Sequence, residues 1–139
     1  MASAAKSTAL LADPVYREHE TGAGHPERPE RYDAVAGMLR SAGVMESLLR
    51  VPSRPATDDE LALCHGRAYI QIVKRDVASG ARELSTGDTA ICERSLDGAL
   101  YAVGGVLNAV DAVMAGQARN AFCVVRPPGH HARPDQGMG

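Results

Sequence analysis

Two consecutive histidines near the end of the chain, His130 and His131, are the residues best suited to chemistry. An imidazole titrates near neutral pH, so it both accepts and donates protons under physiological conditions. The segment before them, Arg126-Pro127-Pro128-Gly129, is stiffened by its prolines, and its glycine permits a close approach that a side chain would block. The pattern predicts a catalytic or ligand-binding loop. The alternative is a pair of surface or capping histidines.

Other catalytic and metal-binding patterns are absent from the sequence. His19, His25 and His65 are widely separated and do not have the spacing of a metal site. The sequence contains no HExxH or Asp-x-His pair, no GxSxG and no phosphate-binding glycine loop. We therefore predict no metal ligand from the residues themselves.

The composition is that of a soluble globular chain. Its 139 residues include 15 basic and 17 acidic side chains, which gives no electrostatic case for binding nucleic acid or an anionic membrane. No segment approaches the roughly 20 apolar residues of a membrane span, and the start lacks a signal-peptide core, so we expect a cytoplasmic protein. Trp is absent and Phe occurs once, which predicts an aliphatic core. Three cysteines without a CxxC pair are interpreted as buried structural thiols: Cys64, Cys92 and Cys123.

Apolar runs and helical spacings alternate along the chain, which predicts an α/β fold with a parallel sheet. Short apolar runs predict strands at residues 8–13, 48–51 and 121–125, and the last is expected to be buried on both faces. Helical spacing predicts four helices: from Pro29 to Gly43, a short one opened by Thr57, from Ala68 to about Gly80, and from Ser95 to about Gly116.

The last and longest of these helices carries a continuous apolar stripe that is expected to face the core. Its members are Leu96, Leu100, Val103, Leu107, Val110 and Met114. Ser95 is predicted to cap the helix. Gly104 and Gly105 each cost about 1 kcal/mol relative to alanine in a helix interior, so we expect a neighbouring element to approach closely there.

The segment Arg126–Ala132, RPPGHHA, followed by the GMG of residues 137–139, resembles the tandem-histidine signature of the zinc-dependent histone deacetylases and their bacterial relatives, the acetylpolyamine amidohydrolases. The RPPGHHA form is similar to the class II-like branch. The resemblance extends over nearly the whole chain from about Leu11, through the segments His25–Arg31, Cys64–Tyr69, Asp88–Ser95 and Ala99–Gly105.

The resemblance implies an arginase/deacetylase-type fold, a parallel sheet flanked by helices, and the hydrolysis of acetylated amines to acetate. By position, His131 matches the general base and acid, and His130 matches its electrostatic partner. Asp88 corresponds to a substrate-holding aspartate at the rim, Gly139 to a glycine of the acyl-lysine tunnel, and Arg31 to an arginine beside an internal channel. The alternatives are that Asp88 only caps a turn and that Arg31 is a solvated helix residue.

The resemblance also implies a zinc cofactor, whose ligands in the family follow the GMG segment. We therefore expect residues 1–8 to be a flexible N-terminus and residues 9–139 to be the N-terminal portion of a truncated deacetylase domain, inactive alone. The alternative is a non-catalytic truncated homologue that acts as a binding module. The implied substrate is acetylated lysine or polyamine, and the oligomeric state stays open.

Overall fold

The computed structural model describes residues 7–138. The strands are β1 (Thr8–Ala12), β2 (Leu49–Arg50) and β3 (Asn120–Val124), and they form one parallel sheet in the order β2-β1-β3. The helices are α1 (Glu30–Ser41), α2 (Asp58–Leu61), α3 (Arg67–Ala78) and α4 (Ser95–Met114), with 3₁₀ turns at Pro14–Arg17 and Met45–Ser47. The predicted parallel α/β architecture is confirmed. Of the N-terminal segment 1–8, residues 1–6 lie outside the described residues and Thr8 belongs to β1.

The hydrophobic core is built around the central strand, β1. Its residues Ala9, Leu10 and Leu11 are fully buried, because β2 and β3 pair with both edges and helices cover the faces. The expectation of a purely aliphatic core is wrong, since Tyr16 is the largest fully buried side chain. Its hydroxyl donates to the carbonyl of Tyr101 at 2.9 Å, which satisfies the polar end of the ring inside the core.

Strand β3 is more exposed than its composition suggests. The expectation that it is buried on both faces is wrong, because Asn120, Ala121 and Phe122 are exposed and only Val124 is buried. Phe122 keeps 49% of its surface accessible. The physical reason is that, within residues 7–138, β3 lies at an edge of the sheet and pairs with β1 alone.

Helix α4 packs through its small residues rather than through its apolar stripe. The buried positions are Ser95, Gly98, Ala102, Gly104, Gly105, Ala109 and Ala112. The stripe was expected to form the core, and this is wrong for Val103, Val110 and Met114, which are 37%, 51% and 80% exposed. Glycine and alanine let the helix backbone approach its neighbours more closely than leucine or valine would, so the small-residue face is the one that is covered.

The two interior glycines of α4 show how close this approach is. A Cβ added to Gly104 would lie 2.1 Å from the carbonyl oxygen of Arg54, and one added to Gly105 would lie 2.8 Å from a methyl group of Leu11. The expected close contact with a neighbouring element is thus confirmed. By length and composition alone α4 could also cross a membrane, contrary to the expectation that no segment would be long enough. A core helix meets the same criterion, and the packing of Gly105 against Leu11 of β1 places α4 against the sheet.

Local signals account for the helix ends. Thr57 and Glu60 form the predicted capping box at the start of α2. Gly43, with a φ of +66°, ends α1 and donates its N–H to the carbonyl of Arg40 at 3.0 Å. Ser95 was predicted to cap α4, but it is the first helical residue, and no side chain caps the helix from Arg94.

The thiols differ from the expected buried set. Cys64 is exposed, and Cys92 and Cys123 are half-buried, all three being free. Cys64 therefore lies outside the core.

Candidate functional site

The tandem histidines lie in the loop that follows β3, at the carboxyl edge of the parallel sheet, where open α/β sheets place their ligands. Both His130 and His131 are exposed. Their ring centroids are 4.1 Å apart, with the planes inclined at 52°. The loop therefore presents two adjoining imidazoles to solvent, and a group bound at this edge would meet both of them.

Arg126 is the second residue of this histidine loop (residues 125–138) and the most buried charged side chain near the histidines. It is 3% exposed, and its Nε and Nη2 each donate to one carboxylate oxygen of Glu27 at 2.7 Å. Its Nη1 donates to the carbonyls of Tyr16 at 2.8 Å and His19 at 3.0 Å. This two-bond pairing is the strong form of arginine–carboxylate contact, because it matches the planar fork of the guanidinium.

Glu27 connects the histidine loop to the loop before α1. Burial alone would raise the pKa of this carboxyl, but the hydrogen bonds and charge of Arg126 outweigh burial and hold the pKa below its ordinary value. Arg31 adds a third cationic contact, since its Nη1 donates to Glu27 Oε1 at 3.2 Å. Glu27 is therefore ionised throughout the neutral range and shared between two arginines.

His19 lies behind this pair, 4% exposed, with its Nδ1 2.7 Å from the hydroxyl of Ser95. Its Nε2 is 3.7 Å from Glu27 Oε2. Burial, and secondly the charge of Arg126, lower the pKa of His19 to about 4. At neutral pH His19 is consequently uncharged, and the Ser95 hydroxyl can donate to its Nδ1.

Stability between pH 4 and 6.5 should depend on His19. In that window the unfolded chain protonates this imidazole while the folded chain does not, so unfolding takes up a proton and stability falls as the pH falls. The shift from 6.5 to about 4 corresponds to about 3 kcal/mol. Urea unfolding at pH 7 and pH 4 should show a smaller pH-dependent loss in His19→Gln than in the wild type. Equal losses in the two proteins would contradict this assignment.

The far part of the histidine loop is held by neutral contacts from two other segments. The N–H of Gly66 donates to the carbonyl of Pro134 at 2.8 Å, and His65 Nδ1 lies 3.1 Å from the carbonyl of Arg133. Gln136 Nε2 donates to the carbonyl of Thr86 at 3.1 Å. The loop thus contacts the segment before α3 and the segment between α3 and α4, as well as the Glu27 loop.

The family model for the histone deacetylase domain matches residues 25–139, which is most of the chain. The chain belongs to the histone deacetylase family. It is 35% identical over 135 residues to a probable deacetylase of Archaeoglobus fulgidus, a match that covers 95% of this chain and 37% of that protein. It is 35% identical over 118 residues to the human polyamine deacetylase HDAC10, covering 77% of this chain and 17% of that protein.

A solved deacetylase structure has the same fold. The HDA15 HD domain superposes with a TM-score of 0.87 at 29% identity, and the match covers 98% of this chain and 39% of that one. The predicted arginase/deacetylase-type fold is thereby confirmed. The chain spans less than two fifths of the length of each of these deacetylase relatives.

The structure brings some of the predicted deacetylase site residues together and keeps others apart. Arg31 is joined to the histidine loop through Glu27, although its side chain is 57% exposed. Asp88 is exposed on a turn with a φ of +53°, and its N–H donates to Glu83 Oε1 at 3.0 Å. Its segment meets the histidine loop at Thr86, whose carbonyl accepts from Gln136, and at Thr89, whose hydroxyl would lie 2.9 Å from a Cβ added to Gly137. Gly139 lies outside the described residues.

The zinc that the deacetylase family implies does not fit the donors present. Residues 7–138 contain no group of three or more His, Cys, Asp or Glu side chains that could hold a metal ion. His130 and His131 supply two imidazoles, whereas a protein zinc site takes three or four ligands. Within the described residues, the two imidazoles therefore do not make a zinc site by themselves.

Sequence reasoning missed the buried ion pair and His19. A charged arginine directly after an apolar strand is a signal in itself, because a guanidinium in that position requires a buried acidic partner. The partner could not be identified from spacing, since Glu27 and Arg126 are 99 positions apart. His25 accepts the N–H of Glu27 at 3.0 Å within its own loop.

Proposed function

We propose that this chain carries the tandem-histidine part of a zinc-dependent deacetylase, which hydrolyses acetylated amines, acetyl-lysine or acetylpolyamine, to the free amine and acetate. The observation that carries the proposal is the pair of exposed imidazoles on a loop fixed by a buried arginine, in a chain of the histone deacetylase family. Members with related sequences include the human polyamine deacetylase, which supports an acylated amine as the substrate class.

In this proposal the two histidines divide the work of proton transfer. His131 accepts a proton from the attacking water and later donates it to the departing amine, which requires an imidazole that begins neutral. His130 stabilises the negative charge that develops on the acetyl oxygen. Their ring separation of 4.1 Å supports this division, because charge on one ring directly affects the other.

The remaining residues are given supporting roles. Asp88 at an exposed turn binds the substrate backbone, Gly139 borders the acyl tunnel, and Arg31 lies beside an internal channel. In a complete deacetylase domain, a bound zinc would supply a Lewis acid for the acetyl carbonyl. We propose that its ligands come from parts of the domain outside these 139 residues, so the chain alone hydrolyses no acetylated amine.

Two assays test the proposal. The purified 139-residue chain should not cleave an acetyl-lysine or acetylpolyamine reporter. A chimera in which residues 1–139 replace the matching segment of the Archaeoglobus fulgidus relative should bind zinc and cleave one of them. In the chimera, His131→Ala should lower turnover at least about 100-fold, because proton transfer is lost, while zinc content is unchanged.

The matched control is Asp135→Ala, an exposed residue of the same loop, which should leave turnover within twofold, or about 0.4 kcal/mol, of the parent chimera. Loss of zinc in the His131→Ala chimera would make His131 a metal ligand and contradict its role. A folded, zinc-loaded chimera that cleaves neither reporter would contradict the proposed function itself.

A further inference from the structure

The buried pair of Glu27 and Arg126 has no role in the function proposed so far. We propose that both are positioning residues, whose pairing fixes the loop that presents His130 and His131. This inference rests on the proposed function, because the orientation of the two imidazoles matters only if they take part in the reaction.

The pair acts at the start of a span that is otherwise weakly held. Arg126 precedes His130 by four positions, and among the described residues the next hydrogen bond from another segment is at Arg133, two positions after His131. Within residues 7–138, neither the His130 nor the His131 imidazole has a hydrogen-bond partner. Among the described residues, hydrogen bonds from other segments therefore reach the backbone before the histidines only through Arg126.

Arg126 is fixed in both position and plane. Two parallel bonds of 2.7 Å join it to Glu27, and two more reach the carbonyls of Tyr16 and His19. The N–H groups of a guanidinium point in fixed directions within one plane, so four such bonds prevent the group from rotating. A lysine at this position would keep the positive charge but could not form the planar, two-bond contact with Glu27.

Helix α4 closes the loop from the other side. A Cβ on Gly98 would lie 3.5 Å from Pro127 Cδ, 3.6 Å from the carbonyl oxygen of Arg126 and 3.6 Å from His19 Cβ. The first residues of the loop are thus seated between the start of α4 and the Glu27 carboxylate. Movement of the guanidinium would shift the backbone that leads to the histidines.

Stability alone does not account for a charged pair in this place. Apolar side chains of similar volume usually replace a buried ion pair with little or no loss of stability. What they cannot replace is the directional bonding that sets the loop. An apolar replacement should therefore separate the effect of the pair on stability from its effect on the loop. It preserves the fold, while the loop loses the hydrogen bonds that order it.

The test uses the 139-residue chain and two variants, the double substitution Glu27→Leu/Arg126→Met and the single substitution Arg126→Lys. NMR measures the nuclear Overhauser contact between the His130 and His131 rings and the hydrogen-exchange protection of the Ala132 N–H. Both variants should keep the circular dichroism spectrum and the protection of α4. Both should lose the ring contact, and protection at Ala132 should fall at least about tenfold.

The matched control is the same double substitution at the exposed pair of Arg17 and Asp33, Asp33→Leu/Arg17→Met, which should preserve the ring contact. Retention of ring contact and loop protection in both test variants would overturn the proposal. Failure of both to fold would also overturn it, because the pair would then be required for the fold itself. An inactive chimera would contradict the proposed function and leave this measurement unchanged, since loop order is read without substrate.

Discussion

Replacing Gly104 with alanine is expected to reduce the free energy of unfolding by about 4 kcal/mol or more. The added Cβ would lie 2.1 Å from the carbonyl oxygen of Arg54 and 2.9 Å from the backbone N of Ala56. Both contacts are with backbone, which cannot rotate away as a flexible side chain would. Moving that backbone would also break the hydrogen bond from the N–H of Ala56 to the carbonyl of Leu100, now 2.9 Å long.

Urea unfolding followed by circular dichroism measures this loss, and two other helical glycines calibrate it. Gly37→Ala in α1 meets no atom within 4 Å, so it should stabilise the chain by about 1 kcal/mol through helix propensity. Gly105→Ala should fall between the two, because its Cβ would meet side-chain atoms of Tyr16 and Leu11. A Gly104→Ala protein as stable as the wild type would show that the helix is not this close to residues 54–56.

The substitution Glu27→Leu should cost about 3–5 kcal/mol of unfolding free energy, since it leaves the Arg126 guanidinium buried without its counter-charge. Arg126 is 3% exposed and cannot reach water without disturbing the sheet edge. The carbonyls of Tyr16 and His19 remain as acceptors but carry no full negative charge.

Chemical denaturation of the single and double variants separates the cost of leaving Arg126 unpaired from the cost of losing the ion pair. Adding Arg126→Met to Glu27→Leu should recover most of the loss, because no unpaired charge then remains. At the exposed pair, Asp33→Leu should cost no more than about 1 kcal/mol, since Asp33 and Arg17 are well solvated. A Glu27→Leu loss as small as that of Asp33→Leu would show that the buried pair is freely hydrated in solution.

Local chemistry explains which parts of the fold could be predicted from the sequence. The φ of +66° at Gly43 and the capping box of Thr57 and Glu60 depend on residues within one turn, so their residue types reveal them. The histidine loop was predictable for a related reason, because prolines and glycine mark a rigid turn after an apolar strand.

The buried face of α4 was not predictable by the same means. Apolar periodicity selects the large side chains, such as Val110 and Met114, whereas the closest packing is made by Gly104 and Gly105. A glycine gives no hydropathy signal, and its contribution to close packing can be recognised only when the position of the neighbouring backbone is known. The exposure of Phe122 was missed for a different reason. The composition of a strand does not show whether one or two other strands pair with it.

The contacts of the histidine loop with distant segments have a consequence for how the chain folds. Arg126, Arg133 and Gln136 bond to residues that are 99, 68 and 50 positions away. Contacts that close such long stretches of chain cost the most entropy to form and gain nothing until their partners are in place. The two imidazoles therefore become ordered only after the segments around Glu27, His65 and Thr86 have assembled, so loop order reports completion of the fold.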